Sequence, residues 1–459
     1  MLNATLKPHR EYLLANQAGQ KLFLALTLKP NAEAAGSRPN LSVVFVVDTS
    51  GSMREVVTKP SEVTDQKVRV DGQDYTVVKG AKNKMDLVVE SLRAIIGSDL
   101  LKPEDRLALV KFDDNAETLV PFTSASERAK LLAAAERLTH YSGGTMMGLG
   151  MEKGAGLLEK EVGSKRMVLL SDGATFDEAI VNQQIRALAA ARVPVSVVGV
   201  GDFEYDLLLE TADSTQGQLF DVKSDTENPQ PPAIRATDLP KALLGDLEKA
   251  TLEVVTGVGL SVRSIKDVVL ERVTRVAPTQ TEVNVSVQPH PLGNIEAGVG
   301  STFILEFTLP SRPPARMRLA QVGLTYEVPG ANYRGEIPPL DVIVEFTGDE
   351  NFAAQVNPEV MQWVQQRNIE MLVMQATAQA ASNPEQAAQT LEQARNMTVR
   401  LGNSAMTQAL DRAMGELSSS KTISLGTAKT LRLGSKTQTL SQGDSSLPSD
   451  EEIRRITGA

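Results

Sequence analysis

An aspartate and two serines alternate along Asp48-Thr49-Ser50-Gly51-Ser52, directly after a run from Leu41 to Val47 that is apolar except for Ser42. A β-branched run of this kind reads as a buried parallel strand, and in open α/β sheets ligands bind beyond the carboxyl ends of such strands. One carboxylate and two hydroxyls, with no His or Cys beside them, make a hard-oxygen donor set that suits Mg²⁺ or Mn²⁺ better than zinc. On its own the pattern is also ordinary turn composition, since Asp, Ser and Gly are the usual turn residues. Two later stretches change that balance. Ser142-Gly143-Gly144-Thr145 delivers a hydroxyl just ahead of a helical pattern, and a second apolar run, Met167 to Leu170, ends in Ser171-Asp172-Gly173. Two strands of one sheet would then end in acidic loops on the same edge, with Thr145 able to reach between them.

At these residues the chain resembles the von Willebrand factor A family, whose metal-ion-dependent adhesion site joins a D-x-S-x-S motif to a distant Thr and a distant Asp. Asp48, Ser50, Ser52, Thr145 and Asp172 all match, and the resemblance spans roughly residues 40 to 222. It implies a doubly wound, Rossmann-like α/β domain. It also implies that Ser50, Ser52 and Thr145 hold Mg²⁺ (or Mn²⁺ or Ca²⁺) through their hydroxyls, while Asp48 and Asp172 act directly or through water. Neutral hydroxyls leave such an ion electron-poor, so an Asp or Glu of a partner protein is its natural sixth ligand. The implied activity is metal-dependent protein–protein binding by a scaffold or adaptor, with an AAA+ ATPase among the partners such relatives serve. A metal that merely stiffens the loops is the competing reading.

Composition narrows the field further. A net charge of −10 argues against nucleic acid as a partner. There is no cysteine, which excludes disulfides, thiol nucleophiles and Cys-based zinc sites. His9, His140 and His290 are the only histidines, and neither a G-x-S-x-G elbow nor a G-x-x-x-x-G-K-[ST] loop occurs, so a binding protein is expected and not an enzyme. No apolar run approaches the ~18–20 residues needed to span a bilayer, and no signal-peptide pattern is present. The expectation is a bacterial, cytoplasmic protein that does not engage membranes.

The elements that must position these residues fall into five stretches. Residues 1–38 contribute one strand, Lys21 to Leu28, to a β-sandwich whose other strands lie in 250–347, where turn residues punctuate a period of two. The A domain, 39–224, is inserted in or flanked by that sandwich and alternates strands with helices. It carries an extra hairpin at about 54–84, centred on Asp71-Gly72, that reads as a lid or partner contact. Residues 357–417 form a helical bundle, begun by Asn357-Pro358, Asn383-Pro384 and Asn403, which Trp363 packs onto the sandwich. Residues 418–459, poor in large apolar groups, read as a flexible tail. An alternative function rests on that tail. Thr437 or Thr439 would accept phosphate and be read by a forkhead-associated partner, making the chain a signalling or conflict-response component.

Overall fold

The computed structural model describes residues 1–36, 38–58, 61–70, 73–172, 175–201, 203–224 and 233–436; Thr437 and Thr439 lie outside them. The chain divides into two compact units, one over Arg38–Glu253 and the other joining Met1–Ser37 to the residues from Val254 onward.

The Arg38–Glu253 unit is built on a seven-stranded sheet. From edge to edge it runs Ile234–Arg235, Leu219–Lys223, Val195–Val200, Ser164–Ser171, Leu41–Asp48, Arg106–Phe112 and Ala116–Ser124. All neighbours are parallel except the last pair, in which Ala116–Ser124 runs antiparallel at the edge. Pro121 fits that edge position, where a missing N–H costs nothing. Alternate residues of the Leu41–Asp48 strand face opposite ways. Val43, Phe45 and Val47 share a core with Leu87, Val88 and Leu92 of the Lys84–Gly97 helix and with Leu243 and Leu247 of the Leu239–Leu252 helix. On the opposite face the Met147–Glu159 helix approaches closely through glycines. A Cβ on Gly150 would stand 2.7 Å from the Phe112 ring, and one on Gly154 would stand 2.8 Å from a Val46 methyl.

Two boundaries differ from the sequence reading. The unit runs on to Glu253 and does not stop at 224, because the Leu239–Leu252 helix is bound into it. Buried Arg166 reaches Asp246 of that helix at 3.2 Å and pairs with Glu253. The 250–347 stretch, read as strands throughout, accordingly opens on the end of that helix, and its first strand is Glu253–Ser264.

The other unit contains two five-stranded sheets. One orders Leu2–Pro8, Gln20–Pro30, Ser301–Leu309, Val269–Ala277 and Thr281–Val283, all antiparallel. The second orders His290–Glu296, Glu253–Ser264, Ala315–Val328, Tyr333–Thr347 and Tyr12–Leu14. Leu24, Leu26, Phe303 and Leu305 of the first meet Leu260, Val322, Leu324 and Val344 of the second in one apolar cluster. The first 38 residues thus supply three strands where the sequence reading had one. On the outer face of the first sheet, Phe23, Ala25 and Ile304 pack against Val360, Val364 and Trp363 of the Pro358–Gln379 helix.

That helix and its successors, Pro384–Arg400 and Ser404–Ser420, start as the sequence indicates, with Asn357, Asn383 and Asn403 accepting from first-turn N–H groups. The tail expected to be flexible from 418 departs from that expectation. A fourth helix, Leu425–Lys436, buries Leu431 among Val373, Leu391, Leu410 and Leu417. Its start is secured by Glu416, which accepts from the Ser424 N–H at 2.9 Å and the Thr427 hydroxyl at 2.6 Å.

One buried histidine in this unit gives a pH signature. His9 accepts from the Phe23 N–H at 3.1 Å, and burial, reinforced by the charge of Arg10, pushes its imidazole from 6.5 down to about 3. The unfolded chain therefore takes up this proton first as pH falls. The stabilisation is complete above pH 6.5 and declines between there and about pH 3, by up to about 1.4 kcal/mol per pH unit. His9→Asn retains an acceptor for Phe23, and melts between pH 7 and 4.5 should show a shallower loss for this variant. Parallel pH curves for variant and wild type would refute the assignment.

Candidate metal centre

The Leu41–Asp48 and Ser164–Ser171 strands are neighbours, yet the chain leaves the first toward Arg106–Phe112 on its opposite flank. This reversal makes their carboxyl ends a topological switch point, the place where α/β sheets bind ligands. Both acidic loops begin there. Asp48 is wholly buried; its Oδ1 accepts from the Ser50 N–H and its Oδ2 from the Ser171 hydroxyl, each at 2.8 Å. The Ser50 and Ser52 hydroxyls are 3.1 Å apart, and Ser52 donates to Asp172 Oδ1 at 2.9 Å. Burial pushes the Asp48 carboxyl up to about 6, and the nearby Asp172 charge adds to this, against the pull of the Ser50 and Ser171 hydrogen bonds.

Thr145 is brought in by its loop. The Gly51 N–H donates to the Gly143 carbonyl at 3.2 Å, and the Met146 N–H to the Asp113 carbonyl at 2.8 Å, so the glycine loop lies against the D-x-S-x-S loop. The Thr145 carbonyl accepts from the Phe176 N–H at 3.0 Å and the Thr175 hydroxyl at 3.1 Å, while its hydroxyl has no hydrogen-bond partner among the described residues.

Several supporting residues escape a reading of the motif. Asp177 accepts from the Gly148 and Leu149 N–H groups at 2.9 Å and so caps the Met147–Glu159 helix, which has no side-chain cap of its own. Asp114 takes the Gly144 N–H at 3.0 Å. Thr49 bonds the Phe112 carbonyl and Asp113, whose carboxylate is held by buried Lys111 at 2.8 Å. Phe176, beside Gly144, is 82% exposed. The least expected neighbour is Lys84, the first residue of its helix and almost fully buried. Its ammonium lies 2.6 Å from Asp172 Oδ2 and 2.7 Å from Glu55. A regular i,i+4 or motif spacing would have flagged such a pair; residues brought together only by the fold leave no such trace.

The donor set fits a hard divalent cation. Adjacent oxygens around octahedral Mg²⁺ lie about 2.8–3.0 Å apart, given metal–oxygen distances near 2.0–2.1 Å. The Ser50–Ser52 and Ser52–Asp172 separations of 3.1 and 2.9 Å are close to that edge. Among the described residues no three His, Asp or Glu side chains cluster as a metal group, so a cation here would depend on hydroxyls for much of its shell.

Comparison with known proteins bears on the fold. Residues 42–231 match the family model of the von Willebrand factor type A domain. The chain contains a von Willebrand factor A domain. Residues 358–441 match a second model, described as the Sll0103-like C-terminal alpha-helical domain. The uncharacterised protein YfbK of Escherichia coli K12 is 23% identical over 207 residues, which cover 43% of this chain and 31% of that protein's length. Among solved structures, a von Willebrand factor type A protein from Catenulispora acidiphila is 18% identical with a TM-score of 0.72, covering 95% of this chain and 97% of its own. The ArnB paralog VWA2 from Sulfolobus acidocaldarius is 14% identical with a TM-score of 0.56, covering 95% and 100%. At these identities the structural likeness concerns the fold alone. Among the described residues no helix is long and apolar enough to cross a membrane.

Proposed function

We propose that the von Willebrand factor A domain binds a divalent cation, Mg²⁺ in the first instance, and through it an Asp or Glu of a partner protein. Ser50, Ser52 and Thr145 would offer hydroxyls, with Asp48 and Asp172 as the anionic donors. The observation that carries this reading is the chain of oxygens from Ser50 through Ser52 to Asp172, spaced like the edge of an octahedron and set at the sheet's switch point, with the Asp48 carboxylate held beside it by the Ser50 N–H. A cation with so many neutral ligands retains enough charge to attract an outside carboxylate.

Two features favour a protein as the bearer of that acid. Phe176 presents an aromatic face at the rim, the kind of exposed apolar group that anchors protein contacts. The hairpin of Glu62–Val70 and Gln73–Lys79 leaves and returns beside the metal loop, with its base clamped where Val56 bridges Asn83. It would extend the contact surface as an adaptor requires. Catalysis is not part of this reading: His140 is exposed on the Leu138–His140 turn, and His9 and His290 belong to the other unit.

The test uses the full chain loaded with Mn²⁺ and a displayed peptide library. Retained peptides should be enriched in Asp or Glu, and EDTA should release them. Retention that ignores EDTA, or recovery of acid-free peptides with equal yield, would refute carboxylate capture through a metal.

A further inference from the structure

Lys84 occupies a position that elementary electrostatics disfavours. It is the first residue of a helix, where the peptide dipoles already create positive potential, and it is buried. Both costs are offset by two carboxylates. Asp172 takes the ammonium at 2.6 Å, and Glu55, more than half exposed, takes it at 2.7 Å. Asp172 thus carries two roles on its two oxygens. Oδ1 accepts from Ser52 on the metal side, and Oδ2 faces an internal cation. The pair is fixed by the hairpin's base: the Lys84 N–H donates to the Glu55 carbonyl at 3.0 Å, and the Val57 N–H to that of Lys82 at 3.0 Å.

We propose that Lys84 sets the charge of the metal centre, neutralising Asp172 from behind so that a bound divalent cation has only Asp48 as an uncompensated protein carboxylate. This rests on the metal-binding reading above and deepens it. The ammonium weakens the hold of the protein on the metal and strengthens the demand of the metal for an acid from outside. With Lys84 in place, the cation, Asp48, Asp172 and the ammonium sum to one net positive charge, which one partner carboxylate cancels. Without it the same centre is neutral before any partner arrives. Glu55 moderates the effect by drawing part of the ammonium's charge toward solvent.

Two substitutions shift the centre in opposite directions. Lys84→Gln keeps an N–H donor for Asp172 but removes the charge, whereas Glu55→Gln leaves the whole ammonium to Asp172. Titrating the full chain with Mn²⁺ alone, followed by calorimetry or by the electron paramagnetic resonance of free Mn²⁺, should show Lys84→Gln binding at least about 10-fold more tightly than wild type. Glu55→Gln should bind about 3-fold more weakly, a smaller change because its carboxylate is solvent-screened. Equal or weaker binding by Lys84→Gln would overturn the role of Lys84 and leave metal binding itself standing. No Mn²⁺ uptake by wild type would overturn the metal reading and this inference with it. Should Lys84→Gln fail to fold, Glu55→Gln decides alone, since a substitution at an exposed side chain leaves the core intact; affinity unchanged from wild type would overturn the proposal.

Discussion

Asp48→Ala is expected to reduce divalent-cation affinity by at least about 100-fold while the chain remains folded. Losing an outer-shell partner alone weakens metal sites by about 10–100-fold, and the proposed role of Asp48 is that of a direct or water-bridged anionic ligand. Folding is spared for a separate reason. A buried carboxylate is costly, as the upward displacement of the Asp48 carboxyl by burial shows, so deleting it relieves one penalty while unpairing the Ser50 N–H and the Ser171 hydroxyl. The two effects oppose each other, and the melting temperature of the metal-free protein should move little. Adding Mg²⁺ should then raise the melting temperature of wild type and leave that of Asp48→Ala unchanged, because a ligand stabilises only the state that binds it. A variant stabilised by Mg²⁺ as strongly as wild type would remove Asp48 from the metal's shell.

The second large effect concerns stability and lies at the other end of the sheet. Arg166 is buried with Asp246 and Glu253, and Ser196 completes the group by donating to Asp246 at 2.6 Å and accepting from Arg166 at 3.1 Å. Arg166→Ala leaves two carboxylates in the core without their counter-ion, which typically costs about 3–5 kcal/mol. For a unit of this size the melting temperature should fall on the order of 10 °C. Replacing all three charged residues together by Met and Leu should recover most of the loss, since an apolar triad of similar volume carries no desolvation cost. If Arg166→Ala melts within a degree or two of wild type, the group does not fasten the Leu239–Leu252 helix to the sheet.

The parts of this architecture that could be read from sequence were those with a local pattern. Strands buried on both faces appear as mostly apolar runs, so Leu41 to Val47 and Met167 to Leu170 were visible at once. The three Asn-headed helix starts were visible for a similarly local reason. The site's five motif residues were recognisable from type and order, and the structure links four of them through consecutive hydrogen bonds from Asp48 to Asp172, with Thr145 on the loop that Gly51 holds.

What stayed hidden depended on partners distant in sequence. The His290–Glu296 strand contains Pro291 and Gly293, poor strand formers that only a paired neighbour sustains. The Leu425–Lys436 helix has two glycines and few apolar residues, and its start depends on Glu416 in the preceding helix. Lys84 looks like any lysine at a helix end until Asp172 and Glu55 are placed beside it. Gly150 and Gly154 of the Met147–Glu159 helix were likewise uninformative alone, and they permit its close contact with Phe112 and Val46.

The pairing of Gln20–Pro30 with Ser301–Leu309 has a consequence for the ribosome. Leu22, Phe23, Leu24, Leu26 and Leu28 are all buried in the finished protein, yet the segment that covers one edge of their strand is made only when translation reaches position 301. At ordinary elongation rates that interval lasts on the order of tens of seconds. Throughout it a sticky nascent segment waits while the whole Arg38–Glu253 unit emerges and closes on itself behind it. Newly made chains stalled before position 301 should therefore be strong clients of ribosome-associated chaperones, and full-length chains, which also carry Val322, Leu324 and Val344 for one face of the strand and Val360 and Val364 for the other, should be much weaker ones.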